Sequence, residues 1–197
     1  SVIEAAKTTL DDLQTDYLDL YLIHWPNPAI SVRETMDAMA TLQEQGLVRN
    51  VGVSNFSRYQ LSAAQHVADV PIAVNQIEFN PYFQRPDLLE YCQDNDIVVE
   101  AAAPIARGEI LEDATLQDIG ETYDKTPVQV ALRWAIEKGV VVLPRSTSRG
   151  HVEENFDVFD FELDDGAVAR IDDLDRNEPS YDDRARSWDD EVWGMAE

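Results

Sequence analysis

The sequence predicts an α/β fold built on a parallel sheet. Strand-like apolar runs alternate with helical stretches five times, which calls for right-handed crossovers between parallel neighbours. Two of the runs, YLDLYLI at 17–23 and VVVL at 140–143, are mostly or wholly apolar, as buried strands are. The 197 residues and 44% hydrophobic content suit one domain with its own core, taken here as 1–197 with a polar tail over 177–197.

Each element has its own signal. Residues 2–13 carry Ile3, Ala6, Leu10 and Leu13 at helical spacing, and the strand at 17–23 follows. A helix over 31–45 has Ser31 as its cap, Glu34 as a capping-box partner and Gly46 as its stop. A strand at 48–53, a helix at 57–68 and a strand at 72–77 come next. Pro86 opens a helix over 86–94. Small and branched residues make 97–103 a strand. Helices at 116–123 and 127–137 precede the strand at 140–143, and helices at 149–156 and 164–174 complete the pattern. Trp188 and Trp193 are candidate docking points for the tail. Periodicity fits either a five-stranded doubly wound sheet or part of an eight-stranded barrel. The first element is a helix, whereas an α/β domain ordinarily begins on a strand, so a preceding strand is expected.

Charge narrows the partners. Fifteen Lys and Arg against 39 Asp and Glu give a formal net charge of −24. Such a surface repels phosphate backbones and anionic headgroups, which argues against nucleic acid and membrane surfaces. No apolar run reaches bilayer length, and residues 1–7 lack the basic and apolar regions of a signal peptide. Cys92 is the lone cysteine and cannot form an internal disulfide, so the expected compartment is the cytoplasm. Acidic residues are spread along the chain, densest over 164–175 and 182–191, and the only lysines are Lys7, Lys125 and Lys138. Self-repulsion on this scale is relieved by salt, which points to a halophilic cytoplasm.

The motif search first excludes. Eight glycines form neither a dinucleotide-binding G-x-G-x-x-G nor a P-loop. His24, His66 and His151 lack metal-ligand spacing, so no metal is expected. Gly52 and Ser54 suggest a nucleophile elbow, but Phe56 stands where a second small residue is required.

The strand ends carry the positive signal. They finish in His24-Trp25-Pro26, Ser54-Asn55, Asn75-Gln76, Ala103-Pro104 and Pro144-Arg145-Ser146-Thr147. The carboxyl ends of parallel strands form the active face of α/β folds. A single polar end often just reaches solvent; five in succession point to a shared site. His24 is either a satisfied core histidine or a neutral imidazole able to orient a carbonyl. Asn55 and Gln76 either face solvent or pair with a carboxamide such as nicotinamide. Arg145-Ser146-Thr147-Ser148-Arg149 leads into a helix N-terminus, either as an anion site or as a capped helix with surface arginines.

Together these stretches resemble the aldo-keto reductase family. The matching segments run in family order: 16–26 through His24-Trp25-Pro26, 46–56 through Gly52-Val53-Ser54-Asn55-Phe56, 75–81, 142–147 and 154–161. The resemblance implies a (β/α)8 TIM barrel, of which this chain supplies about the last five βα units. It implies reduction of aldehydes and ketones with NADPH, or NADH in its place. His24 matches the active-site histidine and Trp25 a substrate-pocket residue. Ser54, Asn55 and Gln76 match positions holding the nicotinamide carboxamide. Arg145, Ser146 and Thr147 match the loop around the adenosine 2′-phosphate, and Glu154 and Asn155 match adenine-side contacts. The implied partner is a small carbonyl substrate, and the full-length protein is expected to be monomeric.

Departures from the family pattern matter too. Arg145 replaces the usual lysine, keeping a cation but with fork geometry. His151 stands where an arginine often binds the 2′-phosphate. Ala102 replaces an aromatic that stacks on nicotinamide. Of the family's Asp, Tyr, Lys and His tetrad only the histidine is matched. The others belong to earlier strands, so the chain is expected to be the C-terminal part of such an enzyme and inactive alone. The alternative from another class is a non-catalytic, nicotinamide-nucleotide-binding scaffold.

Overall fold

The computed structural model describes residues 1–180; the rest of the tail, with Trp188 and Trp193, lies outside the described residues. In order the elements are α1 (Val2–Leu13), β1 (Leu18–Ile23), α2 (Val32–Glu44), β2 (Val48–Ser54), α3 (Arg58–Val67), β3 (Ile72–Glu78) and α4 (Pro86–Asp94). They continue with β4 (Val98–Ala102), a 3-10 segment (Ala106–Glu112), α5 (Ala114–Tyr123), α6 (Pro127–Glu137), β5 (Val141–Val142), α7 (Arg149–Phe156) and α8 (Asp165–Asp172).

The strands form one sheet in the order β1-β2-β3-β4-β5. The β1–β2, β2–β3 and β4–β5 pairs are parallel. A doubly wound sheet reverses its order at a switch point; this one runs with the sequence throughout. Of the two architectures left open by periodicity, the order is that of a singly wound βα succession.

The described chain divides into two compact units, residues 1–76 with 90–98, and residues 77–89 with 99–180. In the first, Ala6, Met39, Leu42, Val48 and Val51 form a buried cluster, with Ile3, Leu18 and Tyr21 packed against it. Gly52 lets the strands approach: a Cβ there would lie 2.6 Å from Leu22 Cδ2 and 2.9 Å from the Val74 carbonyl oxygen. In the second unit Phe79 stacks on Trp134 with centroids 5.1 Å apart, and the Trp134 indole N–H donates to Asp172 Oδ1 at 2.7 Å.

Four local expectations are corrected. β1 is half-buried apart from the exposed Asp19, because it pairs only with β2 among the described strands. The expected buried strand at 140–143 shrinks to Val141–Val142, with Val141 and Leu143 exposed, because β5 is the other edge of the sheet. Ser31 makes no capping hydrogen bond, so the box with Glu34 does not form. Its chain arrives through a turn in which the Ile30 N–H donates to the Asn27 carbonyl, and Ser31 ends in the wall of a cavity. Full capping boxes form instead at Ser1–Glu4, Ser57–Gln60 and Thr126–Gln129. The segment at 106–112, which carries no helical or strand period, is a 3-10 turn kinked at Arg107 and Gly108, both in the left-handed region.

Candidate active site

The first unit holds His24, Trp25, Ser54, Asn55 and Gln76. β2 runs to Ser54 and stops because Asn55 turns left-handed, with φ of 62°. An asparagine tolerates that region better than most side chains. The left-handed residue is Asn55 and not Ser54, which is a buried strand residue, so the nucleophile-elbow reading fails in geometry as well as in sequence.

Asn55 stitches three strand ends together. Its backbone N–H donates to the Gln76 carbonyl at 2.9 Å. Its Nδ2 donates to the His24 carbonyl at 3.0 Å and to Ser54 Oγ at 3.1 Å. Two acceptors on one side fix the orientation of the amide. Its Oδ1 keeps its lone pairs free of any partner among the described residues. Ser54 Oγ, accepting from Asn55, retains its own proton as a donor. The pair therefore offers one acceptor and one donor, the complement of a primary carboxamide.

His24 is exposed, so the core-histidine reading does not apply. Trp25 lies in the wall of an apolar cavity of about 520 Å³ under the loop at 25–31. Gln76 is half-buried two residues before the end of β3, and its carbonyl is the one that receives Asn55.

Asn75 does more than the sequence suggested. It is wholly buried, and adjacent strand residues face opposite ways, so Asn75 turns to the side away from Gln76. Its Nδ2 donates to the Phe56 carbonyl at 2.9 Å, and Oδ1 accepts the Phe56 N–H at 3.4 Å. It clamps the residue directly after Asn55. No motif announces this; only burial identifies it.

The remaining candidates belong to the second unit. β5 leads through exposed Arg145 and Thr147 into α7. Ser146 Oγ accepts the Ser148 N–H at 3.1 Å, making a hydroxyl turn. Ser148 caps α7 with backbone geometry but makes no side-chain cap, so the first-turn N–H groups of this helix are not met by it. Arg149 pairs with Glu153 at 2.8 Å, whereas Arg145 makes no ion pair among the described residues. His151 is exposed in the first turn of α7, and Asn155 is half-buried near its end. Glu154 accepts the Thr126 hydroxyl at 2.6 Å, which ties α7 to the cap of α6. Ala102 ends β4 half-buried.

Two further groups in this unit have no motif to mark them. Glu78, buried at the end of β3, accepts the Asn80 side-chain amide at 3.1 Å and the Ser180 N–H at 2.6 Å. Tyr82 donates to Asp113 Oδ2 at 2.9 Å while Asp113 Oδ1 caps α5. Burial, reinforced by the Asp113 hydrogen bond and charge, pushes the Tyr82 phenol up to about 12.

No described helix is long and apolar enough to cross a membrane. The sequence pattern described as the Aldo/keto reductase family matches residues 1–176. The glyoxal reductase of Bacillus subtilis strain 168 is 38% identical over 178 residues, 90% of this chain and 64% of that protein. The methylglyoxal reductase DkgA of Escherichia coli K12 is 37% identical over 185 residues, 91% of this chain and 67% of that protein. Among solved structures, a Bombyx mori aldo-keto reductase in complex with NADP superposes with a TM-score of 0.87 at 33% identity, covering 96% of this chain and 67% of that one. An aldo/keto reductase from Brucella melitensis gives 0.83 at 41% identity, covering 88% and 67%. The chain thus spans between about three-fifths and two-thirds of the length of these relatives. With its parallel, sequentially ordered sheet and a family match over 176 residues, the chain belongs to the aldo-keto reductase family.

Proposed function

We propose that this chain supplies the last five βα units of an eight-stranded barrel that reduces small aldehydes and ketones with a nicotinamide dinucleotide. The observation that carries the reading is the Asn55 junction. It leaves Oδ1 without a partner among the described residues and the Ser54 hydroxyl proton available, while Asn55 bonds the Gln76 and His24 carbonyls. This donor set fits the carboxamide of nicotinamide. Arg145, Ser146 and Thr147 suit the phosphate end of the dinucleotide, with Arg145 uncommitted to any carboxylate among the described residues. Names borne by relatives, glyoxal reductase and methylglyoxal reductase, make small dicarbonyls the first substrates to try.

When bound, the cofactor would supply a hydride to a carbonyl carbon, and the proton that completes the alcohol has no donor among this chain's matched residues. The chain's own residues bind and orient. Asn55 and Ser54 hold the carboxamide and so fix which ring face is presented. The exposed His24 imidazole donates a hydrogen bond to the carbonyl oxygen and orients it, stabilising the charge that develops there. Arg145 holds phosphate by two parallel N–H donors. No residue of the chain matches the family's Tyr, Lys and Asp, so residues 1–197 alone should bind the cofactor without turning over. A second reading, a nucleotide-binding scaffold without catalysis, draws on Ala102, which leaves the nicotinamide without its usual aromatic neighbour.

The test is NADPH titration of the full chain by cofactor fluorescence, with Asn55→Ala and Arg145→Gln. Asn55→Ala should weaken both NADPH and NADH about tenfold, the loss of one or two buried hydrogen bonds. Arg145→Gln should weaken NADPH more than NADH. Equal binding by wild type and both variants would sink the assignment. Turnover of methylglyoxal by protein isolated from its native source separates the enzyme from the scaffold.

A further inference from the structure

We propose that the polar cavity between Tyr82, the 106–109 turn and the 176–180 segment binds a small zwitterion, a molecule carrying one carboxylate and one ammonium group. The cavity holds about 360 Å³, within the usual range of ligand pockets, and its whole wall belongs to the second unit. Its charged lining is two guanidiniums, Arg107 and Arg176, and two carboxylates, Glu109 and Glu178. An anion alone would meet both glutamates and the −24 of the chain. A cation alone would meet both arginines. A guest with both signs and no net charge matches the wall and is indifferent to the charge of the whole chain.

Arg176 is held by the residue opposite. Its backbone N–H donates to the Tyr82 carbonyl at 3.0 Å, and its guanidinium lies 4.0 Å from the centroid of the Tyr82 ring. Tyr82 is only 4% exposed and keeps its hydroxyl on Asp113. Elsewhere in this unit Lys125, Arg133, Lys138 and Arg170 each hold a carboxylate at 3.0 Å or less. Arg176 makes no ion pair among the described residues, and neither do Glu109 and Glu178, although all three line one cavity. Charges of both signs therefore border one space without neutralising each other.

An independent observation also points to a guest. Ser180 lines the same cavity, and its Oγ is buried with no hydrogen-bond partner among the described residues. Its backbone is pinned, because the Ser180 N–H donates to the buried Glu78 carboxylate at 2.6 Å. A buried hydroxyl without an acceptor costs free energy until one arrives. The carboxylate of the guest would take that proton together with the Arg176 guanidinium, and its ammonium would go to the glutamates.

The site is separate from the one assigned to carbonyl reduction. None of His24, Trp25, Ser54, Asn55, Gln76 or Arg145 lines it.

L-Alanine is the probe, titrated into the full chain by calorimetry. The expected result is saturable one-to-one binding. N-acetyl-L-alanine, which lacks the cation, and L-alaninamide, which lacks the anion, should each bind at least about tenfold more weakly. Ser180→Ala removes only the orphaned hydroxyl. It should weaken alanine at least about threefold, while its thermal midpoint without alanine stays at or above that of wild type. Arg176→Gln should weaken alanine at least about tenfold. Saturating NADPH should leave the alanine isotherm unchanged. Circular dichroism checks that each variant is folded, and if Arg176→Gln does not fold, Ser180→Ala decides. No saturable binding, equal binding of the three probes, wild-type affinity in Ser180→Ala, or displacement of alanine by NADPH overturns the proposal.

Discussion

Replacing Asn75 by alanine should loosen the turn that carries Ser54 and Asn55, and the cost can be worked from its contacts. Asn75 is wholly buried, so water cannot take over its bonds. Its strong bond is Nδ2 to the Phe56 carbonyl at 2.9 Å; the return bond from the Phe56 N–H, at 3.4 Å, is weak. A buried carbonyl left without a donor costs about 1–3 kcal/mol, and the weaker bond adds about 0.5–1 kcal/mol. The sum is about 3 kcal/mol, which for a protein of this size lowers Tm by about 6–12 °C. Urea unfolding followed by circular dichroism measures it: the midpoint should fall while the slope stays constant. Asn75→Leu restores the volume but not the amide, so it should recover little. Asn75→Asp keeps the acceptor but sets a carboxylate against the Phe56 carbonyl, and should be at least as harmful as alanine. A loss under about 0.5 kcal/mol for alanine, or full rescue by leucine, would show that packing and not the clamp holds the turn.

Other perturbations test other links. Gly52→Ala should cost about 1–3 kcal/mol, because Leu22 can move aside but the Val74 carbonyl at 2.9 Å belongs to a paired strand; a thermal melt within error of wild type would refute the close approach. Tyr82 favours its neutral phenol in the fold. Its stabilising contribution should be complete below the ordinary tyrosine value of about 10 and vanish as pH rises through about 12. Ultraviolet titration of wild type minus Tyr82→Phe should isolate that late step, and a step near the ordinary value would contradict it. The unfolding midpoint should rise from low salt to molar KCl as 39 acidic side chains are screened; a midpoint that falls instead would end the halophilic reading.

What the sequence made legible was whatever depends on short-range pattern. α4 is found at 86–94, because Pro86 at its first position leaves little choice of start. α1 and α7 likewise match their expected bounds. The polar strand ends were visible because strands that are otherwise apolar break off at them. Other features turn on where a backbone group ends up. Ser31-x-x-Glu34 and Ser57-x-x-Gln60 read alike, yet only the second caps its helix. The difference lies in the turn that delivers Ser31, which periodicity does not describe. Arg107 and Gly108 turn left-handed inside a segment with no repeat to betray it. Asn75 and Gln76 read as one polar strand end, but the alternation of a strand sends the two amides to opposite sides, and burial commits Asn75 to clamping the turn.

Charge raises a problem that binding measurements can resolve: a chain of −24 is proposed to hold an anionic dinucleotide. Two opposed terms act over different distances. Repulsion from the whole surface is long-ranged and is largely screened once the Debye length falls to about 10 Å, near 0.1 M salt. Attraction by Arg145 is short-ranged and keeps weakening as the Debye length shrinks towards about 3 Å at 1 M. Affinity for NADPH should therefore rise with the first additions of KCl, pass through a maximum near about 0.1 M and then decline. Arg145→Gln removes the local attraction and leaves the global repulsion, so its affinity should be lower and should rise to a plateau without the decline. Fluorescence titrations at several salt concentrations give both curves. A monotonic fall in the wild type would mean that the net charge does not reach the site, and identical curves for the two proteins would mean that Arg145 does not hold the phosphate.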